Sequence, residues 1–385
     1  MHEALVVDLD ALGAAKTDAG KVAQVAAVAL GRRSVELHTA SAAEIPFPMF
    51  NMTTGGLWRV DGSASFDGPA QPFKSVVKLI QSPRLWPGIA AVPPDFRDAL
   101  VRHYPWHSEA DVYASDMAGA MPTGSRLPAV YLIEELDPER TAIWMEDIPE
   151  CPGADWNDAR FSRAASMLGR LAGSAAVRDG GPPISPARDA ERMRFFLEGY
   201  GTTVLIPSIL GEDLWKVPAV AEVATTSLVE GMRRLAGRAP ELMEEIIALP
   251  ILPAHGDASP QNLLADGPED FAVIDWGLYG GACAGFDLGQ LLAGWVNQGA
   301  MDGGELYRLE PLCFASYCQG LAEAGTDVPD SVVRRGHAAS MALFSGLTAV
   351  PSQRLAEADS EELRKFVAGR VAMAKFVLEL LASTE

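Results

Sequence analysis

The sequence is short of the residues that several classes of protein depend on. Its only cysteines are Cys151, Cys283, Cys313 and Cys318, which form neither a disulfide framework nor a metal-ligand pattern. We therefore expect buried structural thiols. Basic residues are also scarce, because 31 Lys and Arg stand against 51 Asp and Glu and give a net charge of −20. This balance argues against nucleic acid and membrane as partners, since nucleic acid and anionic bilayers both bind clustered cations.

Long apolar runs are missing too. No stretch approaches the roughly 18 consecutive apolar residues of a membrane span. The first residues, MHEALVVDLDALGAAK, are acidic where a secretory signal would be basic. These absences predict a soluble, cytoplasmic protein.

The composition and residue periodicity of the sequence indicate a globular chain of two lobes. Hydrophobic residues make up 48% and charged residues 21% of the sequence, as is typical of globular proteins. The length of 385 residues allows two or three units of about 150 residues each. Period-two patterns predict strands over 34–39, 56–60, 73–80, 129–134 and 141–145. Helical spacing marks 17–30, 106–120, 160–177, 188–198, 219–236, 240–248, 287–296, 304–324, 331–347 and 360–383. We therefore predict a small sheet-containing lobe over 1–148 and a larger helical lobe over 149–385.

One segment carries the chemistry, and it begins at His255-Gly256-Asp257. Two short apolar runs, 263–265 and 271–274, flank the turn residues Asp-Gly-Pro, so this region predicts a β-hairpin. A hairpin returns its second strand to the start of its first, which places Asn262 and Asp275 side by side. Both supply oxygen ligands of the kind that Mg²⁺ prefers.

Phosphoryl transfer needs this combination of residues. A carboxylate and an amide hold the metal that accompanies the nucleotide phosphates, and a further carboxylate takes the proton of the acceptor hydroxyl. The Asp-x₄-Asn spacing of Asp257 and Asn262 is that of the protein-kinase catalytic loop. Taken singly, His255, Asp257 and Asn262 could be turn and cap residues of a surface hairpin. Together with the apolar strand that leads into Asp275, they favour a catalytic site.

These motifs resemble the aminoglycoside phosphotransferase and choline-kinase-like family of small-molecule kinases. The resemblance rests on His255-Gly256-Asp257-x₄-Asn262, on Ile274-Asp275-Trp276 and on Gly285-Phe286-Asp287-Leu288. It implies an α+β, two-lobed protein-kinase-like fold, with a small N-terminal antiparallel-sheet lobe and a larger, mainly helical C-terminal lobe.

The resemblance also implies roles for the motif residues. Asp257 would be the catalytic base, and Asn262 and Asp275 would be the metal ligands. His255 would hold the geometry of the loop, and Asp287 would brace the loop without reacting. An ordinary helix N-cap is the simpler interpretation of Asp287, and the two are compatible.

A kinase of this type also needs a lysine on a strand, paired with a helix glutamate. Lys78 lies in an apolar, β-branched run and is one of only seven lysines. It is either this lysine or an edge-strand lysine that faces water. Residues 106–113 resemble the family's helix segment, which implies Glu109 as the partner of Lys78. A first-turn acid that favours the helix dipole is the alternative for Glu109.

Other nucleotide contacts are less strongly marked. The turn at 51–56 contains Thr53, Thr54, Gly55 and Gly56, whose backbone N–H groups and hydroxyls could cover phosphates. An ordinary hairpin turn explains these residues nearly as well. The resemblance of residues 143–148 to the family's linker implies that backbone groups of Glu146 and Ile148 meet the adenine edge.

The resulting hypothesis is an ATP- and Mg²⁺-dependent phosphotransferase that acts on a hydroxyl of a small molecule: an aminoglycoside, an amino sugar, a sugar or an amino-alcohol. Position alone suggests four acceptor contacts, namely Trp276, Asp302, Glu305 and Tyr307. Two rival hypotheses are a catalytically silent nucleotide-binding module and a metal-dependent hydrolase. The hydrolase would use His255, Asp257, Asp275 and His337, but histidines are too few for a dinuclear site. The sequence leaves the oligomeric state open.

Overall fold

A computed structural model describes residues 6–47, 52–149, 151–152, 154–350 and 359–385. The chain divides into two compact units, Met1–Ser115 with Leu127–Glu150 and Asp116–Arg126 with Cys151–Glu385. The architecture is α+β, with an antiparallel-rich sheet in the N-terminal part and mainly helices in the C-terminal part. This confirms the predicted fold class.

The strands and helices are numbered here in chain order. The strands are β1 Val6–Asp8, β2 Glu36–Glu44, β3 Thr54–Ser65, β4 Gln71–Gln81, β5 Ser125–Arg126, β6 Val130–Asp137, β7 Arg140–Met145, β8 Ile251–Ala254, β9 Leu263–Asp266, β10 Asp270–Val273 and β11 Gly280–Cys283. The helices are α1 Ala19–Ala29, α2 Pro94–His103, α3 Ser108–Ala114, α4 Met117–Ala120, α5 Asp158–Gly173, α6 Ala175–Gly180, α7 Pro186–Phe196, α8 Ile206–Leu210, α9 Asp213–Lys216, α10 Pro218–Ala221, α11 Thr226–Ala248, α12 Phe286–Gln298, α13 Leu306–Glu323, α14 Asp330–Met341 and α15 Glu361–Ala382. Two π-helical segments, Leu197–Leu205 and Ala342–Gly346, continue α7 and α14.

The first unit is built on one sheet with the strand order β1-β2-β3-β4-β7-β6. Its neighbouring strands pair antiparallel except β1 and β2, which run parallel. Alternate residues of a strand face opposite sides of a sheet. Val77 and Leu79 therefore join the core formed with α1, whereas Ile80 joins a separate core against α3. Lys78, between Val77 and Leu79, belongs to the α3 side.

Residues 6–30, which match no motif, pack on this sheet. The side chain of Asp18 caps α1 by accepting a hydrogen bond from the backbone N–H of Lys21. Val22, Val25 and Ala26 of α1 are fully buried in the core that contains Trp144. The segment is therefore an integral layer of the first unit.

The second unit is mainly helical. Helices α5 and α13 pack closely because glycines remove side chains from their contact. A Cβ placed on Gly169 would lie 2.1 Å from the carbonyl oxygen of Tyr317, and one on Gly320 would lie 2.1 Å from that of Ser166. The two backbones therefore approach nearer than any larger residue would permit.

Two small sheets position the loops of the second unit. In the first, β5 pairs with β10 and β10 pairs antiparallel with β9, so β9 and β10 form the predicted hairpin. In the second, β8 pairs antiparallel with β11. The segment between β8 and β9 is therefore held at both ends by strand pairing.

Several elements differ from the prediction. The helix predicted over 106–120 is broken into α3 and α4, because Ser115 adopts an extended conformation with ψ 179°. The two helices predicted on either side of Pro240 are one helix, α11, with the proline inside it. The four cysteines are free, and Cys283 and Cys313 are buried, whereas Cys151 and Cys318 are only half-buried. Of the helices the structure describes, none has the length and apolar character to cross a bilayer.

We expect Gly169→Ala to lower the free energy of unfolding by about 1–3 kcal/mol, because the added methyl meets a backbone carbonyl that cannot move alone. Gly237→Ala is the matched control. Apart from the neighbouring residues and backbone of α11 itself, no atom lies within 4 Å of a Cβ at Gly237, so this change should stabilise the protein by about 0.5–1 kcal/mol. Urea unfolding followed by circular dichroism measures both. Equal effects of the two substitutions would contradict the close packing of α5 on α13.

Candidate active site

The loop after β8 is organised by a buried histidine. His255 Nε2 donates a hydrogen bond to the carbonyl oxygen of Ile274 at 2.9 Å, and Nδ1 accepts one from the Asp257 backbone N–H at 3.2 Å. The imidazole is fully buried and packs on the Trp276 ring at 4.6 Å between centroids. His255 thus ties the loop to the end of β10, and both of its nitrogens are used in doing so.

Gly256 is the residue at which this loop requires glycine. Its φ is +87°, and a Cβ there would lie 2.2 Å from the carbonyl oxygen of Leu278. Both the backbone conformation and the close approach exclude other side chains. The loop can therefore turn sharply just before Asp257.

Asp287, in the first turn of α12, holds the same loop from the other side. Its two carboxylate oxygens accept hydrogen bonds from the backbone N–H groups of His255 at 2.8 Å and Gly256 at 3.0 Å. Burial raises the pKa of Asp287, while His255 and these two N–H donors act in the opposite direction. This geometry is that of the brace implied by the sequence motif.

The β9–β10 hairpin brings Asn262 next to the end of β10. Leu263 is paired with Val273, and the Ile274 backbone N–H donates to the Asn262 carbonyl oxygen at 3.0 Å. Asp275 is the next residue along the chain. The hairpin predicted from the turn residues and the apolar runs is therefore confirmed, including the end of the hairpin at which the two polar residues lie.

The side chain of Asn262 connects the hairpin to Asp257. Its Nδ2 donates to the Asp257 backbone oxygen at 2.9 Å and to the Asp257 carboxylate at 3.1 Å. Because the amide nitrogen is engaged in this way, the amide oxygen is the atom that can bind a cation. Asn262 itself is buried.

Asp275 has an unusual backbone conformation, with φ 60° and ψ 60°. Of the residues that the structure describes, Asp67 is the only other non-glycine residue with positive φ. Aspartate and asparagine tolerate this region best among L-residues, but the conformation still has a cost. Strain of this kind is found preferentially at functional sites.

Two carboxylates lie close together in this cluster. Burial raises the pKa of Asp257, and the nearby charge of Asp275 raises it further; His255, Ser259 and Asn262 act in the opposite direction. The pair therefore carries excess negative charge, which a divalent cation would compensate.

The donor set fits Mg²⁺ better than a transition metal. Asn262 and Asp275 offer hard oxygen ligands, and Mg²⁺ usually takes one or two protein carboxylates and completes its shell with phosphate oxygens and water. Among the described residues, no group of three or more His, Cys, Asp and Glu side chains could hold a metal ion. A site built entirely from such protein ligands is therefore absent from that part of the chain.

In the first unit, Lys78 forms a buried ion pair. Its Nζ lies 2.6 Å from Glu109 Oε2, and the two side chains are 11% and 3% exposed. Strand β4 lies between β3 and β7, where Lys78 is opposite Leu57 and Ile143. The edge-strand interpretation of Lys78 is therefore wrong. The structure brings together the lysine and the glutamate that the sequence motifs single out.

The glycines of the predicted phosphate loop have a packing explanation. A Cβ on Gly55 would lie 2.6 Å from the side-chain oxygen of Gln81, and one on Gly56 would lie 2.0 Å from the Trp58 ring. Thr53 is in a turn, and β3 starts at Thr54. Residue 51, at the start of the predicted loop, lies outside the described residues. Contact of residues 53–56 with a nucleotide stays a prediction.

The segment after β7 is fixed at its first two residues. The Glu146 backbone N–H donates to the Ala129 oxygen at 2.8 Å, and its carboxylate accepts from the Ala129 N–H at 3.0 Å. Asp147 pairs with Arg59 at 2.8 Å. Ile148 is half-buried. An adenine contact at Glu146 and Ile148 stays a prediction.

The four suggested acceptor residues have other partners. Trp276 is fully buried, and its indole N–H donates to the Val273 oxygen at 2.9 Å. It therefore has no surface to offer an acceptor, because its ring is used to pack His255. Asp302 caps a turn by accepting from the Gly304 N–H at 2.7 Å, Glu305 pairs with Arg308 at 2.8 Å, and the Tyr307 hydroxyl donates to Glu379 at 2.7 Å.

Two side chains on α7 support the site, and the sequence did not predict them. Asp189 accepts a hydrogen bond from the Gly281 N–H at 2.9 Å, and Arg192 donates to the Tyr279 oxygen at 3.0 Å. They hold the segment that follows Asp275. About ninety residues separate the partners, so no local spacing could have revealed them.

Sequence comparison decides the family. A family model described as APH, phosphotransferase enzyme family, matches residues 107–312, more than half of the 385 residues. The chain belongs to this phosphotransferase family. The predicted enzyme class, a phosphotransferase of the small-molecule kinase type, is thereby confirmed. No curated protein is significantly similar to the chain.

Structural comparison agrees on the fold of this phosphotransferase. A microcompartment-associated aminopropanol kinase is 14% identical, with a TM-score of 0.51 over 94% of this chain and 98% of that one. A spectinomycin phosphotransferase is 13% identical, with a TM-score of 0.44 over 96% and 98%. A choline/ethanolamine kinase family protein from Mesorhizobium loti is 15% identical, with a TM-score of 0.44 over 89% and 92%. At 14% identity, the aminopropanol kinase shows a shared fold and nothing about the acceptor.

The contribution of the Lys78–Glu109 pair to stability can be tested by substitution. Glu109→Ala leaves a buried lysine without a counter-charge and should cost about 3–5 kcal/mol of unfolding free energy. The double variant Lys78→Met/Glu109→Leu replaces the pair by apolar groups of similar size and should recover most of that loss. Urea unfolding of the three proteins measures this. A double variant less stable than Glu109→Ala would contradict the buried pair.

Proposed function

We propose that the protein is an ATP- and Mg²⁺-dependent phosphotransferase that moves the γ-phosphate to a hydroxyl of a small molecule. The observation that carries this proposal is the cluster at the open end of the β9–β10 hairpin. There the Asn262 amide holds the Asp257 carboxylate at 3.1 Å, and the charge of Asp275 acts on the same carboxylate.

Within this proposal, Asp257 is the catalytic base. Its carboxylate orients the acceptor hydroxyl and takes the hydroxyl proton as the new oxygen–phosphorus bond forms and the bond to the leaving ADP breaks. Burial raises the pKa of this carboxyl group and makes it a better proton acceptor than an aspartate in water. The transfer is direct and in line, with no covalent enzyme intermediate.

Asn262 and Asp275 are the proposed ligands of the metal. A bound Mg²⁺ would neutralise charge on the phosphate oxygens during transfer. The chain's own contribution is to fix the two ligands, through the Ile274–Asn262 backbone hydrogen bond and the left-handed conformation of Asp275. His255 and Asp287 act as positioning residues, because they bond to the loop backbone and not to reacting groups.

The predicted N-terminal lobe, residues 1–148, would supply the nucleotide contacts. Lys78, oriented by Glu109, would contact nucleotide phosphates. Backbone groups of Thr53, Thr54, Gly55 and Gly56 would cover the phosphates, and those of Glu146 and Ile148 would meet the adenine. Residues 149–385 would supply catalysis and acceptor binding.

The acceptor class is an aminoglycoside, an amino sugar or another sugar. A net charge of −20 favours the approach of a polycationic acceptor. Asp302, Glu305 and Tyr307 stay proposed acceptor contacts, whereas Trp276 is left out because it is fully buried. We further propose a cytoplasmic protein whose partner is the small-molecule acceptor and neither nucleic acid nor membrane.

The two rival functions are less well supported. A metal-dependent hydrolase would need His255 and His337 as ligands. Both nitrogens of His255 bond to backbone groups, and His337 is fully buried, 3.5 Å from Glu310. A silent nucleotide-binding module would have no use for the Asp257 carboxylate held beside Asn262.

Two substitutions in the cluster should have different kinetic effects. Asp257→Ala should lower kcat by about 10²–10⁴, the range for loss of a general base, and leave nucleotide affinity nearly unchanged. Asp275→Ala should abolish Mg²⁺-dependent nucleotide binding. Steady-state kinetics and titration with a fluorescent ATP analogue, with and without Mg²⁺, measure these effects. Unchanged turnover of Asp257→Ala would remove the base assignment.

An ATP-consumption screen tests the function itself. The panel contains aminoglycosides, hexosamines, other sugars and choline-like amino-alcohols, with Asp257→Ala as the inactive control. We expect the unmodified protein to form ADP when one acceptor class is present. The Asp257→Ala variant should not do so. Nucleotide binding without transfer to any acceptor would favour the silent module. Release of phosphate from a small ester without ATP would favour the hydrolase.

A further inference from the structure

A groove of about 810 Å³ lies between α11 and α15 in the second unit. Leu228 and Leu235 of α11 and Val371 and Leu378 of α15 form its apolar floor. None of its lining residues belongs to the proposed catalytic cluster. The volume is within the range of about 300–1,000 Å³ that is typical of small-molecule sites.

Small side chains line both sides of the groove. On the α15 side, Ala368 and Ala372 leave room, and on the α11 side Gly231 lets Leu378 pack closely, since a Cβ on Gly231 would lie 2.7 Å from the Leu378 side chain. On α11 the lining runs from Ser227 to Arg238, which is about 16 Å at 1.5 Å per residue. The space is therefore elongated and suits a linear apolar group.

The charges at its rim differ from those of the whole chain. Arg234, Arg238 and Lys375 line the groove together with Glu379 and Glu385, on a protein of net charge −20. Arg238 pairs with Glu385, and Lys375 lies 4.0 Å from Glu379, which also accepts a hydrogen bond from Tyr307. These contacts pair off both acids with cations.

Arg234 is the third cation that lines the groove. It is exposed, and no residue of the described ranges forms an ion pair with it. Its Nη2 lies 3.8 Å from the position of a Cβ on Gly231, so the guanidinium turns back over the groove. A single unpaired guanidinium above an apolar channel is complementary to one anionic head group on one apolar chain.

We propose that this groove binds a monoanionic amphiphile, a linear alkyl chain that ends in a carboxylate. The alkyl chain of the ligand lies along the apolar floor, and the ligand carboxylate pairs with Arg234. Burial of each methylene contributes to binding through the hydrophobic effect, and the head group adds a charge-assisted hydrogen bond. This site is separate from the phosphotransferase cluster, so its failure would leave the proposed function untouched.

Calorimetric titration of the full chain with sodium laurate below its micelle concentration tests the proposal. We expect saturable binding of one laurate per chain, weaker binding of lauryl alcohol, and the weakest binding of dodecyltrimethylammonium. Arg234→Glu should weaken laurate binding by about tenfold or more. Ala372→Trp, which fills the groove, should abolish it.

Lys365→Glu is the matched control, because this exposed lysine of α15 does not line the groove. It changes the charge by the same two units as Arg234→Glu and should leave laurate affinity unchanged. Circular dichroism confirms that each variant is folded. The proposal is overturned by non-saturable laurate binding, or by equal affinity for the three amphiphiles.

Two further outcomes would assign the groove to another occupant and overturn the proposal. Light scattering could show a dimer that Ala372→Trp dissociates, which would mean that a second copy of the chain covers the groove. Co-sedimentation with phosphatidylglycerol vesicles in the absence of laurate binding would mean that the face meets a lipid surface.

Discussion

The backbone hydrogen bond from Ile274 to Asn262 is the contact on which the proposed chemistry depends. It closes the open end of the β9–β10 hairpin and so determines where Asn262 and Asp275 lie. A shift of one residue in the pairing would move each side chain to the opposite face of the hairpin. The Asn262 amide then connects this end of the hairpin to Asp257.

Rigid support surrounds this contact. His255 connects the catalytic loop to the Ile274 carbonyl, and Asp287 binds the same loop from α12. Both are buried polar groups whose hydrogen bonds are satisfied, which makes them expensive to displace. The surrounding satisfied hydrogen bonds therefore offset the conformational free energy that the left-handed backbone of Asp275 costs. In the first unit, the buried Lys78–Glu109 pair is supported similarly by the centre of a sheet.

The sequence predicted those parts of the site that depend on local patterns. The hairpin follows from turn residues between apolar runs, and the Lys78 strand follows from its β-branched neighbours. Strands β8 and β11 were missed because Pro253 and the Gly280-Gly281 pair are typical of turns, not strands. Trp276 was suggested as an acceptor contact because of its position, but only tertiary packing shows that it lies against His255. Asp189 reaches its partner across 92 residues, a distance that periodicity cannot span.

A crystal structure with bound Mg²⁺ and ADP would locate the metal relative to the side chains of Asn262, Asp275 and Asp257. We expect the metal to contact the Asn262 amide oxygen and the Asp275 carboxylate, with Asp257 outside the coordination shell. A metal held by Asp257, or one that contacts neither Asn262 nor Asp275, would contradict this expectation.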